Sequence, residues 1–170
     1  MTKKFPVAGA IVICAVLLAS GCIRPSPETP SVEIGRPAPP FKLPDLNGRQ
    51  VSLEQYKGKV VMLDFWATWC GPCRMTMPVL EKLQKEYANN MVLLAINLQE
   101  SAKDVREYAR QQNLNSQILL DESGSVGETY GTGSIPMQVL IDKAGIVRHI
   151  QIGFNPRMAS QFRAQIEQLR

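Results

Sequence analysis

Histidine is almost absent from this chain: His149 is the only one in 170 residues. Cysteine is scarce too, and four residues are too few for a disulfide scaffold. Zinc asks for about four ligands, and the pair Cys70 and Cys73 has no second pair to complete a site, so no metal is expected. Long basic runs are missing, and the formal net charge is only +4. Losing Lys3 and Lys4 with the leader described below would halve it, which argues against nucleic acid as a partner. At 20% charged and 45% apolar residues, the chain is no disordered polyelectrolyte and has enough for a packed core. Only one apolar stretch, Val7 to Ser20, approaches membrane length, which excludes a polytopic membrane protein. No internal repeat and no low-complexity segment follows Pro40.

Three segments are expected. Residues 1–21 read as an export signal: a basic start at Lys3 and Lys4, then an apolar core too short for a lasting anchor. The run ends in Leu18-Ala19-Ser20-Gly21-Cys22, which resembles the bacterial lipobox, although Ala19 stands where Leu, Val or Ile is usual. The resemblance implies cleavage before Cys22 and lipidation of its thiol; Cys14 would leave with the leader. Residues 22–40 carry Pro25, Pro27, Pro30, Pro37, Pro39 and Pro40. Proline fixes φ and removes donors, so this stretch is expected to be an extended tether holding the domain off a membrane.

Residues 41–170 suit one domain. Asn47-Gly48 marks a turn between short strands. The near-continuous apolar run Val60 to Trp66 suits a strand buried on both faces, with Met91 to Leu98 a second. Apolar spacing predicts a helix over Met75 to Tyr87, and Ser101 is a plausible N-cap for another ending at Gln112. A short strand at 118–120, a helical turn at 123–130, a hairpin of 139–142 with 146–152 and a closing helix over 156–169 complete the pattern. The order predicts an α/β domain: a central mixed sheet with helices on both faces. His149 is expected to face solvent from its hairpin strand.

The chemistry concentrates at Cys70-Gly71-Pro72-Cys73, between a predicted strand and a predicted helix. Two thiols at this spacing can close a disulfide with little backbone movement. A helix N-terminus offers free N–H groups and a positive dipole end, so the Cys70 thiol should titrate below ~8.5. Cys70 is expected to be the outer, attacking residue, and Cys73 the more buried, resolving one.

Phe65-Trp66-Ala67-Thr68-Trp69-Cys70-Gly71-Pro72-Cys73 resembles the thioredoxin active-site segment. Pro78 matches the proline of the first long thioredoxin helix, and Ser134-Ile135-Pro136 matches the cis-proline loop. Over roughly residues 34–170 the chain is thus similar to the thioredoxin-like superfamily. The segment Phe41 to Lys59 resembles the added N-terminal β-hairpin, and Gln99 to Asp121 the central insert, of its TlpA/ResA-like membrane-anchored thiol–disulfide oxidoreductases. The resemblance implies substrate binding at Trp69, Gly71, Pro72, Ile135 and Pro136, with Met137 departing from the usual Thr. It also implies a buried acid at Asp64 that takes the proton of Cys73, and an acid near the site at Glu100. Many membrane-anchored relatives carry a neutral residue where Asp64 stands.

The expected activity is reduction of protein disulfides outside the cytoplasmic membrane, with no cofactor beyond the redox-active disulfide. The implied partners are disulfide-bearing substrate proteins, among them apocytochrome c in cytochrome c maturation, and a transmembrane electron donor. A monomer is expected, attached to the membrane only by its lipid. Two alternatives use the same fold. A peroxiredoxin-type peroxidase usually places Thr three residues before its reactive Cys, where Ala67 stands. A copper chaperone would exploit soft thiolates, but such relatives space their Cys by three residues and set a His across the site.

Overall fold

The computed structural model describes Met1, Thr2 and residues 32–170. The expected export signal, Cys22 and the first part of the tether lie outside the described residues. The elements are β1 (Lys42–Pro44), β2 (Gln50–Ser52), a 3-10 turn (Leu53–Tyr56), β3 (Val60–Trp66), α1 (Gly71–Glu86), β4 (Met91–Leu98), α2 (Ala102–Gln111), β5 (Gln117–Asp121), α3 (Ser125–Tyr130), β6 (Met137–Ile141), β7 (Val147–Ile152) and α4 (Met158–Leu169). Five strands form one mixed sheet in the order β5-β4-β3-β6-β7, and β1 and β2 form a separate hairpin.

β3 is the centre. All seven of its residues are buried, because it has a parallel neighbour in β4 and an antiparallel one in β6 and is covered on both faces. Strand alternation splits its side chains. Val61, Leu63 and Phe65 face a cluster made with the hairpin, β4, β6 and Tyr130 of α3. Val60 and Met62 face Leu80 and Leu83 of α1 and Phe162 of α4. Trp66 faces a third cluster with both cysteines and Val105 and Ala109 of α2. Helices do lie on both faces, but unequally: α1, α2 and α4 share one, while the other holds α3, the 3-10 turn and the hairpin. Each fully buried aliphatic side chain here contributes ~1.5–3 kcal/mol. Asp64, in the middle of the strand, spends part of that.

Three expectations are corrected. The boundary at residue 41 falls inside packed structure: Val32 is buried in the core. The Gly35 and Ala38 N–H groups donate to the Val147 and Gly145 carbonyls at 2.8 and 2.9 Å, and Tyr130 Oη donates to the Pro39 carbonyl at 2.6 Å. Prolines remove donors only at their own positions, and the residues between them find the free edge of β7. The α1 helix begins earlier than its apolar spacing suggested, at Gly71, because the Cys70–Cys73 turn is itself helical. His149 is half-buried rather than fully solvent-facing; its ring meets that of Phe162 edge-on at 5.7 Å, away from the cysteines.

Candidate active site

β3 leaves the sheet through Ala67 to Trp69 and turns straight into α1. Cys70 is the N-cap of that helix, with extended backbone. Cys70 and Cys73 are joined, with an S–S distance of 1.99 Å and Cα atoms 5.3 Å apart. The Cys73 N–H donates to Cys70 Sγ at 3.2 Å. A first-turn amide with no partner inside the helix therefore points at the sulfur. In the reduced protein the same amide and the positive end of the helix favour a thiolate at Cys70. Pro72 stands in the first turn, where its missing donor costs nothing.

The expected contrast in access is small in this state. Cys70 is 4% exposed and Cys73 2%. Gly71 and Pro72 are exposed, as is Trp69, at 70%. The Ile135–Pro136 bond is cis, and Ile135 packs on the cluster that contains both cysteines. The Gly153 N–H donates to the Pro136 carbonyl at 2.8 Å, tying this loop to the end of β7. Exposed apolar side chains stand near both: Trp69 and Met75 beside the disulfide, Ile152 and Phe154 beyond Pro136 on the β7 side.

Asp64 is fully buried. Its Oδ1 accepts from Gln138 Nε2 at 2.7 Å, and its Oδ2 has no partner. Burial pushes its carboxyl up to about 7, with the Gln138 bond pulling the other way. Its strand neighbour Trp66 and its cross-strand neighbour Ala95 both belong to the cluster of Cys73. The register thus sets the acid beneath the start of α1.

Glu100 is not simply a surface acid opening a helix; Ser101 is the N-cap of α2. The Glu100 carboxylate accepts from the Thr68 N–H at 2.7 Å, from Thr68 Oγ1 at 2.5 Å and from Asn97 Nδ2 at 2.7 Å. It clamps the loop that leads into Cys70 to the end of β4. Arg74 Nη2 donates to the Thr68 carbonyl at 3.3 Å from the other side. Sequence reasoning missed Thr68, Asn97, Arg74 and Gln138. A usable signal existed for two of them: a lone amide inside an otherwise apolar run, as in Met91 to Leu98 and Met137 to Ile141.

Residues 34–150 match the AhpC/TSA family. The chain belongs to that family. It is 42% identical to the thioredoxin-like protein YneN of Bacillus subtilis over 125 residues, 72% of this chain and 73% of the relative. It is 40% identical to the thiol–disulfide oxidoreductase ResA of Geobacillus thermodenitrificans over 127 residues, 74% and 73% of the two chains. Among solved structures, a putative thiol:disulfide interchange protein DsbE from Chlorobium tepidum superposes with a TM-score of 0.77 at 34% identity, covering 82% of this chain and 99% of that one. The exposed lipoprotein thioredoxin of Streptococcus pneumoniae reaches 0.68 at 31% identity, covering 77% and 100%. The thioredoxin-like fold and the thiol–disulfide oxidoreductase activity expected from the sequence both stand. Its substrates are disulfides.

Proposed function

We propose that the protein is a thiol reductase that works outside the cytoplasmic membrane, held there by a lipid on Cys22. The observation that carries the reaction is the Cys70–Cys73 disulfide at the N-terminus of α1, with an amide aimed at Cys70 Sγ. In the reductive direction, Cys70 thiolate attacks a client disulfide, and a mixed disulfide forms as one client sulfur leaves as thiolate. Cys73 then loses its proton to Asp64 and attacks Cys70 Sγ. The Cys70–Cys73 bond closes, the second client sulfur leaves, and the client has gained two electrons. Glu100 holds the Thr68 loop that presents Cys70. Trp69, Gly71, Pro72, Ile135 and Pro136 form the client surface, a reading supported by the resemblance to the thioredoxin active-site segment and cis-proline loop, by the exposure of Trp69, Gly71 and Pro72 and by the packing of Ile135 on the cluster of the cysteines.

The Gly71-Pro72 pair supports reduction over oxidation, through its resemblance to reducing thioredoxins. An acid able to accept a proton near neutral pH serves the Cys73 step in that direction. Lipid attachment is supported by the lipobox-like sequence and by similarity to an exposed lipoprotein thioredoxin. A peroxidase reading gains from the family match over residues 34–150; Ala67 in place of Thr weighs against it. The proposed clients are disulfide-bearing proteins, apocytochrome c among them, and the donor is a transmembrane dithiol carrier.

The deciding measurement is the reduction potential of the Cys70–Cys73 pair in the full chain, equilibrated in thiol buffers. A value near ~−270 mV supports a reductase, and one near ~−120 mV overturns it in favour of an oxidant. On a non-reducing gel, Cys73→Ser should trap mixed disulfides with clients while Cys70→Ser traps none. Equal trapping by both would overturn the assignment of the attacking sulfur.

A further inference from the structure

Among the described residues, two buried oxygens without a partner belong to facing side chains, Asp64 Oδ2 and Gln138 Oε1. Asp64 on β3 and Gln138 on β6 are direct cross-strand partners, and both are fully buried. They already share one bond, from Gln138 Nε2 to Asp64 Oδ1, at 2.7 Å. A buried acceptor left unpaired is costly, and here two belong to a cross-strand pair. An ionised Asp64 cannot relieve either, because a carboxylate and an amide oxygen both only accept. One proton relieves both.

We propose that in the oxidised protein Asp64 is a neutral acid joined to Gln138 in a closed two-bond ring. Its Oδ2–H donates to Gln138 Oε1 while Gln138 Nε2 donates to Asp64 Oδ1. Gln138 is thereby the positioning residue that stores the proton taken from Cys73. This rests on the reading of Asp64 as the proton acceptor in the Cys73 step. The balance is complete. When Cys73 closes the disulfide, its thiol proton passes to Asp64 and is held in the ring. When a dithiol donor later attacks the Cys70–Cys73 bond, a mixed disulfide with Cys70 forms and Cys73 leaves as thiolate. Cys73 then recovers that proton from Asp64, and the donor's second thiol completes its own disulfide.

The surroundings suit a stored neutral acid. β4 sets Ala95 beside Asp64. In the neighbouring clusters α1 and its ends supply Cys70, Cys73, Met77, Leu80, Leu83 and Tyr87, α2 supplies Val105, Tyr108 and Ala109, and α4 supplies Met158, Phe162 and Ile166. The titratable groups among them are the two cysteines, which carry no proton in the disulfide, and the phenols of Tyr87 and Tyr108; none is a carboxylate or a cationic side chain. Burial that raises the Asp64 carboxyl acts in the same direction as the ring.

The test is infrared spectroscopy of the oxidised full chain labelled with carboxyl-¹³C aspartate, at a pH one unit below 7 and one unit above it, with Asp64→Asn, Gln138→Met and Gln138→Leu. The expected result is a protonated-acid band at the lower pH that is lost in Asp64→Asn. It should move to higher frequency in whichever Gln138 variant folds, because the acid then loses both bonds. No acid band at the lower pH, or a band unmoved in the Gln138 variants, overturns the ring. Stopped-flow resolution of a preformed Cys70 mixed disulfide, followed against pH, separates the two readings. If Asp64→Asn resolves it with the wild-type pH profile while the band behaves as expected, the ring stands. Asp64 is then not the acceptor for Cys73, and the storage role is overturned.

Discussion

Replacing Asp64 with Asn should flatten part of the stability–pH curve of the oxidised protein. The carboxyl titrates at 3.8 when freely hydrated and at about 7 in the fold, raised by burial. Below 3.8 both states hold the proton, and the neutral acid costs the fold little. Between roughly 4 and 7 the unfolded carboxyl ionises while the folded one does not, so wild-type stability falls as pH rises. Above 7 both are ionised and the loss levels off. A gap of about three units at about 1.4 kcal/mol each gives a total of about 4 kcal/mol. That is a large share of the ~5–15 kcal/mol that holds a domain together. Asn keeps an oxygen for Gln138 Nε2 and cannot ionise, so its stability lacks this decline. Urea unfolding of both oxidised full-length proteins at several values from pH 4 to 8 measures it. The disulfide form is the right one, because a closed disulfide has no titrating thiol. The other carboxylates are common to both proteins and cancel in the difference. The variant should gain on wild type by about 4 kcal/mol across this range, then run parallel to it. A difference that stays constant from pH 4 to 8 would refute the raised carboxyl.

Three further outcomes follow from the geometry. Glu100→Ala leaves the Thr68 N–H and Asn97 Nδ2 without their acceptor and should cost on the order of 1–3 kcal/mol in urea unfolding, with slower attack by Cys70; stability and attack rate both equal to wild type would remove the clamp from the argument. Gly127→Ala should destabilise by ~1–3 kcal/mol, because a Cβ there would sit 2.8 Å from both Leu98 Cδ2 and Thr132 Oγ1. Thermal unfolding at the wild-type temperature would mean that the Leu98 and Thr132 side chains move aside freely. Trp69→Ala should change stability by less than ~0.5 kcal/mol, since the ring is largely exposed. It should raise KM for a protein disulfide several-fold and leave a small aromatic disulfide unaffected, and equal effects on both substrates would exclude a docking role.

Much of the fold was legible because its signals are local. The run Val60 to Trp66 carries its own burial, Cys70 to Cys73 its own chemistry, and Ser134-Ile135-Pro136 its own backbone. What escaped depends on register. Gln138 matters because β6 pairs antiparallel with β3 so that Gln138 meets Asp64, and nothing within Met137 to Ile141 announces that partner. Asn97 and Thr68 meet through Glu100, which lies beyond the end of β4. The Pro-rich stretch misled for a related reason. Proline content reports which donors are missing, while the packing of residues 32–40 depends on Gly35 and Ala38 reaching an edge strand more than a hundred residues later in the chain. His149 was expected to face solvent from its hairpin strand, whereas Phe162 of α4 packs edge-on against its ring.

That packed segment also decides where a mechanical load enters the molecule. Any pull arriving from upstream of Val32 is met first by the burial of that side chain, then by the Gly35 and Ala38 bonds to the last hairpin. Those bonds lie at the β7 edge. β6 stands between that edge strand and β3, the strand that feeds the disulfide. Tension along an attachment would therefore be spent peeling a peripheral segment, leaving the distance between the two sulfurs untouched. The enzyme can be leashed hard without its chemistry feeling the leash.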